Sequence, residues 1–281
     1  MIKLSIAIAD THALPSAFVV FRGFDECIPK AAKLGFDGVE LALKRSSEIN
    51  EQRLQQLLDE HGIEVSCIST GQVYADGGLT LTATHSQKRG EVISIFKELI
   101  DLAQQFGNLV NIGRVRGQIG DRQVEEVETL FCETVGELCD YAAPKQVTLM
   151  LEPVNRYETD FINSVEEGVR LLEKIKKPNF KLMPDVFHMN IEDITIDNEL
   201  VKHIQHIAYI HLADSNRLAP GQGHTNFKKL FDTLSAVRYS GWMSVEILPK
   251  PDPDTAARQS IEFLLPLIRA YNETVFQTKQ S

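Results

Sequence analysis

Eight short runs rich in apolar and β-branched residues recur along the chain, separated by stretches with a different periodicity. The runs fall at residues 3–9, 38–43, 64–70, 108–115, 147–154, 180–187, 207–214 and 242–248. Between them, residues 24–34, 51–61, 87–106, 124–142, 165–175, 227–237 and 255–270 place apolar side chains three and four positions apart, the spacing of a helix that buries one face. Residues 193–203 carry a fainter version of that pattern. Near-continuous apolar strands are covered on both faces, and strand–helix alternation implies parallel order through right-handed crossovers. Eight such units predict an α/β fold, a single (β/α)8 TIM barrel spanning residues 1–281, a length usual for that architecture.

A doubly wound open sheet is the competing arrangement. It usually places a glycine-rich phosphate turn after its first strand, where this chain reads Ala9-Asp10-Thr11-His12, so the barrel is preferred. No Pro/Gly/Ser-rich linker or low-complexity tract divides the chain, and disorder is expected only in the tail from Gln277 to Ser281. Residues 71–84 and 214–225 form the long loops. Both follow strands, the end of a barrel at which binding groups gather.

Composition narrows the function classes. Hydrophobic residues at 43% and charged residues at 24% describe an ordinary globular chain. A net charge of -10 opposes association with nucleic acid or anionic membranes, which calls for a lysine and arginine footprint. The opening residues MIKLSIAIAD lack the apolar stretch and cleavage site of a signal peptide, and no run approaches the roughly 20 apolar residues of a membrane span. A cytoplasmic location is therefore expected. Cys27, Cys67, Cys132 and Cys139 show no CxxC spacing and read as reduced core or helix thiols.

Polar residues of one chemical type close the later runs. Glu152 stands in VTLMLEPVN, Asp185 and His188 in MPDVFHMN, His211 in AYIHLAD and Glu246 in SVEIL. Four consecutive strands each offer a ligand-type residue at corresponding depth. Two glutamates, an aspartate and an imidazole suit one divalent cation, Mn²⁺ first, with Mg²⁺, Co²⁺ or Zn²⁺ also compatible; without cysteine ligands a structural zinc site is disfavoured. One such acid alone is more often satisfied by a neighbouring loop. Charges at the ends of buried strands are costly unless paired or metal-bound, and one cation explains three carboxylates held together.

The stretches LEPVNRYETDFINS, DVFHMNIED, HLADSNRLAPGQGH and SVEIL resemble the sugar isomerase/epimerase family of xylose-isomerase-like barrels, in particular its ketose 3-epimerase branch with the D-tagatose and D-psicose 3-epimerases. TGQVYADGGLTLT and NIGRVRG are similar, more narrowly, to 5-keto-L-gluconate (tagaturonate-forming) 3-epimerases. The resemblance covers essentially the whole chain and is most specific from Leu151 to Leu248. It implies that Glu152, Asp185, His211 and Glu246 bind the metal and that the two glutamates also exchange the substrate proton. It further implies that Glu158, His188 and Arg217 contact sugar hydroxyls or the carbonyl end. Pro184 before the aspartate, and Val186 where threonine is usual, depart from the family's sixth-strand pattern.

A hydrogen on the carbon beside a ketone is weakly acidic, and a divalent cation stabilises the enediolate left by its removal. Inversion at C3 then needs a base on one face and an acid on the other, roles assigned to Glu152 and Glu246. His188, three residues after Asp185, could reach the same cavity and donate to O2. Arg114 and Arg116, two apart at the end of the fourth run, would share a strand face at the mouth and receive a substrate carboxylate or phosphate. Pairing with acids such as Asp121 or Glu158 is their competing role.

The expected activity is metal-dependent C3 epimerisation of a ketose or keto-sugar acid. An aldose–ketose or hydroxypyruvate-type isomerase, moving a proton between C1 and C2, is the alternative on the same site. A DNA-repair endonuclease would need further histidines where strands three and four end in Gly71-Gln72 and Gly113-Arg114, and a silent sugar-binding barrel would hold no cation. The expected partner is a small sugar or sugar acid. Barrels of this size commonly pair, which makes a homo-oligomer a state to test for.

Overall fold

The computed structural model describes residues 1–14 and 17–277; residues 278–281 of the tail expected to be disordered lie outside them. Eight parallel strands form the centre: β1 (Ile2–Ala9), β2 (Gly38–Ala42), β3 (Glu64–Ser69), β4 (Leu109–Ile112), β5 (Thr148–Leu151), β6 (Phe180–Leu182), β7 (Tyr209–Leu212) and β8 (Gly241–Val245). Their ladder runs β6-β5-β4-β3-β2-β1-β8-β7. The two ends of that path meet through bridges between Leu182 and Ile207 and between Asp185 and His211. The Ala208 amide donates to the Leu182 carbonyl at 3.0 Å and the His211 amide to the Pro184 carbonyl at 2.9 Å, so the sheet closes into the expected barrel. A two-residue segment, Phe21–Arg22, pairs with the end of β1.

Around the barrel lie α1 (Phe24–Leu34), α2 (Glu51–His61), α3 (Gly71–Gly77), α4 (Ser86–Gln105), α5 (Val124–Ala142), α6 (Val165–Ile175), α7 (Val186–Glu192), α8 (Ile196–His203), α9 (Phe227–Ala236) and α10 (Pro253–Gln277). Local chemistry sets several of their ends. Asn50, Ser164 and Asn226 each accept an amide hydrogen bond from three residues ahead, at 3.0, 3.2 and 3.0 Å, which satisfies a donor that a helix N-terminus leaves open. Gly35 and Gly62 close α1 and α2 with φ of 98° and 61°, where a side chain would be strained. Among the described residues no helix is long and apolar enough to cross a membrane.

Strand alternation divides the interior in two. Positions facing the helices, such as Leu4, Ile6, Val39, Leu41, Ile210 and Leu212, join one large apolar core. The inward set is different: Cys67, Met150, Met183 and Tyr209 pack with one another along the barrel axis. The next inward positions, Glu152 and His211, lie two residues further along β5 and β7 and emerge at the C-terminal mouth. All four cysteines are free, three of them buried.

Two expected strand runs end early, each for a physical reason. β6 stops at Leu182, because Pro184 lacks an amide for the ladder and Asp185 instead caps α7, its Oδ1 accepting from the Phe187 amide at 2.8 Å. His188 therefore reaches the site from a helical turn. β4 stops at Ile112, and Arg114–Arg116 form a 3₁₀ turn, so the two arginines do not share a strand face. The long loop after β3 opens with α3, a helix not foreseen in 71–84.

The turn that carries the arginines ends at Gly117, whose φ of 97° and ψ of -166° are essentially restricted to glycine. A Cβ there would also overlap Thr82 Oγ1. Gly117→Ala is expected to destabilise the protein by about 3–5 kcal/mol, combining backbone strain with overpacking, as measured by urea or thermal denaturation. A loss under about 1 kcal/mol would mean that the turn relaxes at little cost.

Candidate metal centre

At the mouth, β5 to β8 bring together Glu152, Asp185, His211 and Glu246, with one ligand atom from each within 4.8 Å of the others. The parallel register makes this possible. Ile112 faces Leu151, Asp185 faces His211, and Leu212 faces Val245, so the four residues emerge at nearly one level. His211 Nδ1 lies 3.1 Å from Glu152 Oε1 and 3.7 Å from Glu246 Oε2. Ligands of one ion sit about 2.0–2.2 Å from it and hence within about 4.4 Å of each other, so a contraction of a few tenths of an ångström would complete a coordination set.

The donor set fits a divalent cation on two further counts. Asp185 is fully buried, yet its Oδ2 has no hydrogen-bond partner; a carboxylate oxygen left so in a dry site is costly. The three carboxylates also repel one another. Burial, with neighbouring Glu152 and Asp185, raises Glu246 to about 8 despite His211 and Arg217, and burial raises Asp185 to about 6. Burial would raise Glu152 too, but the hydrogen bond and charge of His211 outweigh it and hold this carboxyl at about 2. Burial would lower His211, but Glu40, Glu246 and Glu152 together hold it well above the usual imidazole range.

His188, Glu158 and Arg217 line the same pocket. Asn155 donates its amide to His188 Nδ1 at 3.3 Å, which in the neutral ring puts the proton on Nε2, a nitrogen that lies 3.4 Å from Arg217 Nη1 and 3.7 Å from Asp185 Oδ2. Burial and Arg217 lower the His188 pKa well below its ordinary value, so the ring is a neutral donor. Arg217, in the left-handed region with φ 59°, bridges Glu246 at 2.7 Å and Glu158 at 3.1 Å and stacks 3.8 Å from the Phe18 ring centre. Arg114 also faces the pocket, lying 5.8 Å from the Phe18 ring centre and 5.7 Å from that of Tyr74.

Arg116 is a correction to the expected anion receptor. Its guanidinium is fully buried and donates to the carbonyls of Gly113, Phe161, Ile162 and Glu152. With its donors directed at main-chain oxygens, it ties the ends of β4 and β5 to the loop after β5 rather than binding substrate. Three other residues matter that the sequence reading did not single out. Asn111 donates to Glu152 Oε2 at 3.3 Å. Asp214 accepts the amides of Ser215, Gly221 and Thr225, ordering the loop that presents Arg217. Glu40 lies 3.0 Å from His211 Nε2. Its signal was an acid in the middle of the otherwise apolar strand GVELA.

The raised groups fix the sign of a pH effect. The folded cluster keeps protons on Glu246 and Asp185 that the unfolded chain releases near 4.5 and 3.8, and on His211 that it releases near 6.5. Their contribution to stability is thus fully present below the unfolded values and is lost as pH rises through the folded ones; Glu152 acts oppositely, but only at strongly acid pH. Chelator-treated protein is expected to lose melting temperature progressively between about pH 4 and pH 8, and saturating Mn²⁺ to restore it most at the alkaline end. A Mn²⁺ effect independent of pH would contradict this coupling.

Residues 28–267 match the family described as Xylose isomerase-like TIM barrel. A probable ketose 3-epimerase of Synechocystis sp. is 26% identical over 84% of this chain and 83% of its own length. An L-ribulose 3-epimerase of Methylomonas sp. is 27% identical over 80% and 78%. The solved structure of a Methylomonas sp. D-allulose 3-epimerase in complex with D-allulose superposes with a TM-score of 0.80 at 22% identity, covering 94% of this chain and 96% of that one. With the matched segment running from α1 into α10, the chain belongs to the xylose isomerase-like TIM barrel family.

Proposed function

We propose that this chain is a divalent-cation-dependent carbohydrate epimerase that inverts C3 of a ketose or keto-sugar acid, with Glu152 and Glu246 as its acid and base. The observation that carries the reading is the convergence of Glu152, Asp185, His211 and Glu246 beside a pocket that also holds Glu158, His188 and Arg217. Relatives named as ketose and L-ribulose 3-epimerases, aligned over most of the chain, support the reaction class. Mn²⁺ is the proposed ion, from a donor set that also suits Mg²⁺, Co²⁺ or Zn²⁺.

A divalent cation held there supplies a Lewis acid that polarises a ketone and acidifies the neighbouring C–H. Glu152 and Glu246 follow β5 and β8, three places apart in a ring of eight strands, so their carboxylates approach a bound sugar from different sides. One takes the C3 proton and the other returns a proton to the opposite face, which inverts the centre. Which acts first depends on the epimer bound. His188 Nε2–H donates to the carbonyl oxygen as charge develops on it. Arg217 and Glu158, already paired, hold the sugar hydroxyls in place.

Arg114 tilts the substrate class toward a keto-sugar acid. Its nearest carboxylate, Glu158, is 3.8 Å away and closer to Arg217. Among the described residues no acceptor lies within hydrogen-bond distance of the Arg114 guanidinium, which leaves its N–H groups for a ligand anion.

Incubating the Mn²⁺-loaded protein with ketoses and keto-aldonates in D₂O is expected to place deuterium at C3, read by NMR. Label at C1 would instead support an aldose–ketose isomerase. Glu152→Gln and Glu246→Gln should each slow the exchange by about 10²–10⁴-fold. Arg114→Ala is expected to raise KM for a keto-acid by about 10-fold or more and leave an uncharged analogue nearly unchanged. Equal losses on both substrates would remove the anion-receptor role.

A further inference from the structure

Glu40 takes no part in the chemistry above, yet it is a carboxylate with no solvent exposure at the centre of the barrel. It projects from β2 to His211, with Oε2 and Oε1 at 3.0 and 3.2 Å from Nε2. Its other described hydrogen-bond partner is the Tyr209 hydroxyl, 3.1 Å from Oε2. That hydroxyl in turn lies 2.9 Å from Ser5 Oγ and 2.7 Å from Ser66 Oγ. A phenol has one proton to give and can accept two. Each serine also has a main-chain carbonyl in reach, Met243 for Ser5 and Val39 for Ser66, both at 3.2 Å, whereas the Glu40 carboxylate can only accept, so the Tyr209 proton goes to Glu40. The buried carboxylate is then satisfied if the imidazole also donates to it, which requires the His211 ring proton on Nε2. When a cation replaces the second ring proton, the opposite nitrogen, Nδ1, which lies 3.1 Å from Glu152 and 3.7 Å from Glu246, offers its lone pair to that ion.

We infer that Glu40 is a positioning residue for the metal centre: with Tyr209, Ser5 and Ser66 behind it, it fixes the orientation and tautomer of the His211 ring so that Nδ1 is the ligand. The inference rests on the reading that Glu152, Asp185, His211 and Glu246 hold a divalent cation. It adds a residue on β2, on the far side of the ring from the four ligands, and assigns it a different task from the acid and base pair. A carboxylate hydrogen-bonded to the second nitrogen of a ligating histidine also makes that histidine a stronger donor. Glu40 would thus act on cation affinity, and on turnover only through it.

The test uses Glu40→Gln in the full-length protein, because glutamine keeps the shape and can still accept from His211 but carries no charge. Mn²⁺ affinity, measured by competition with a chromogenic chelator, is expected to fall about 10–100-fold, while the chelator-treated variant remains folded by circular dichroism. Glu40→Asp, which keeps the charge but retracts it, is expected to fall between the two. Independently of any variant, ¹⁵N NMR of the Mg²⁺-loaded parent should show the His211 proton on Nε2 and slow to exchange. A variant that binds Mn²⁺ as tightly as the parent, or a parent with that proton on Nδ1, overturns the role of Glu40 alone. A parent that binds no Mn²⁺ overturns the ligand cluster itself, and this inference with it.

Discussion

Three carboxylates held side by side in a dry cavity repel one another, and the mouth of this barrel is built around that conflict. Glu152, Asp185 and Glu246 converge on one imidazole, and among the described residues the other positive group bridging them is the Arg217 guanidinium. Without a further cation, burial and then the neighbouring carboxylates raise Glu246 and Asp185, while the acids around His211 outweigh burial and raise the imidazole. A divalent ion resolves the same conflict without protons and leaves the carboxylates ionised.

The rest of the fold keeps that cluster from relaxing. Arg116 directs its donors at main-chain carbonyls, including that of Glu152, and so fixes the backbone that carries one of the clustered carboxylates. Asp214 does the same for the loop that presents Arg217. Asp185 is held by its own role as a helix cap, one oxygen engaged by the Phe187 amide and the other facing the cluster. The barrel closes at the Asp185–His211 bridge, so the seam of the sheet coincides with two of the four clustered donors. A loss of closure there would separate them.

Much of this was legible in the chain. The eight apolar runs and their intervening periodicities fixed the architecture, because a strand buried on both faces and a helix buried on one leave distinct patterns. Helices at 24–34, 51–61, 124–142 and 165–175 fall where their periodicity ends. The four ligand-type residues were visible because acids and a histidine at the ends of apolar runs have no cheap alternative to pairing. Less legible were the places where backbone geometry changes within a run. Pro184 converts a strand end to a helix start, and the turn at Arg114–Arg116 sends two arginines to different destinations. Strand alternation predicted one face for both, and a 3₁₀ turn does not obey that rule.

The amino-acid order by itself determined the repeating strand and helix units and the donor types available at the mouth, since these depend on local periodicity and residue chemistry. Only the tertiary structure decided which donors share a cavity, which arginine lines the pocket and which faces carbonyls, and that Glu40 on β2 reaches His211 on β7. Those outcomes depend on barrel closure and on which way each side chain points in a register that brings together residues as distant in the chain as Ile2 and Gly241, and no local pattern in the sequence carries that information.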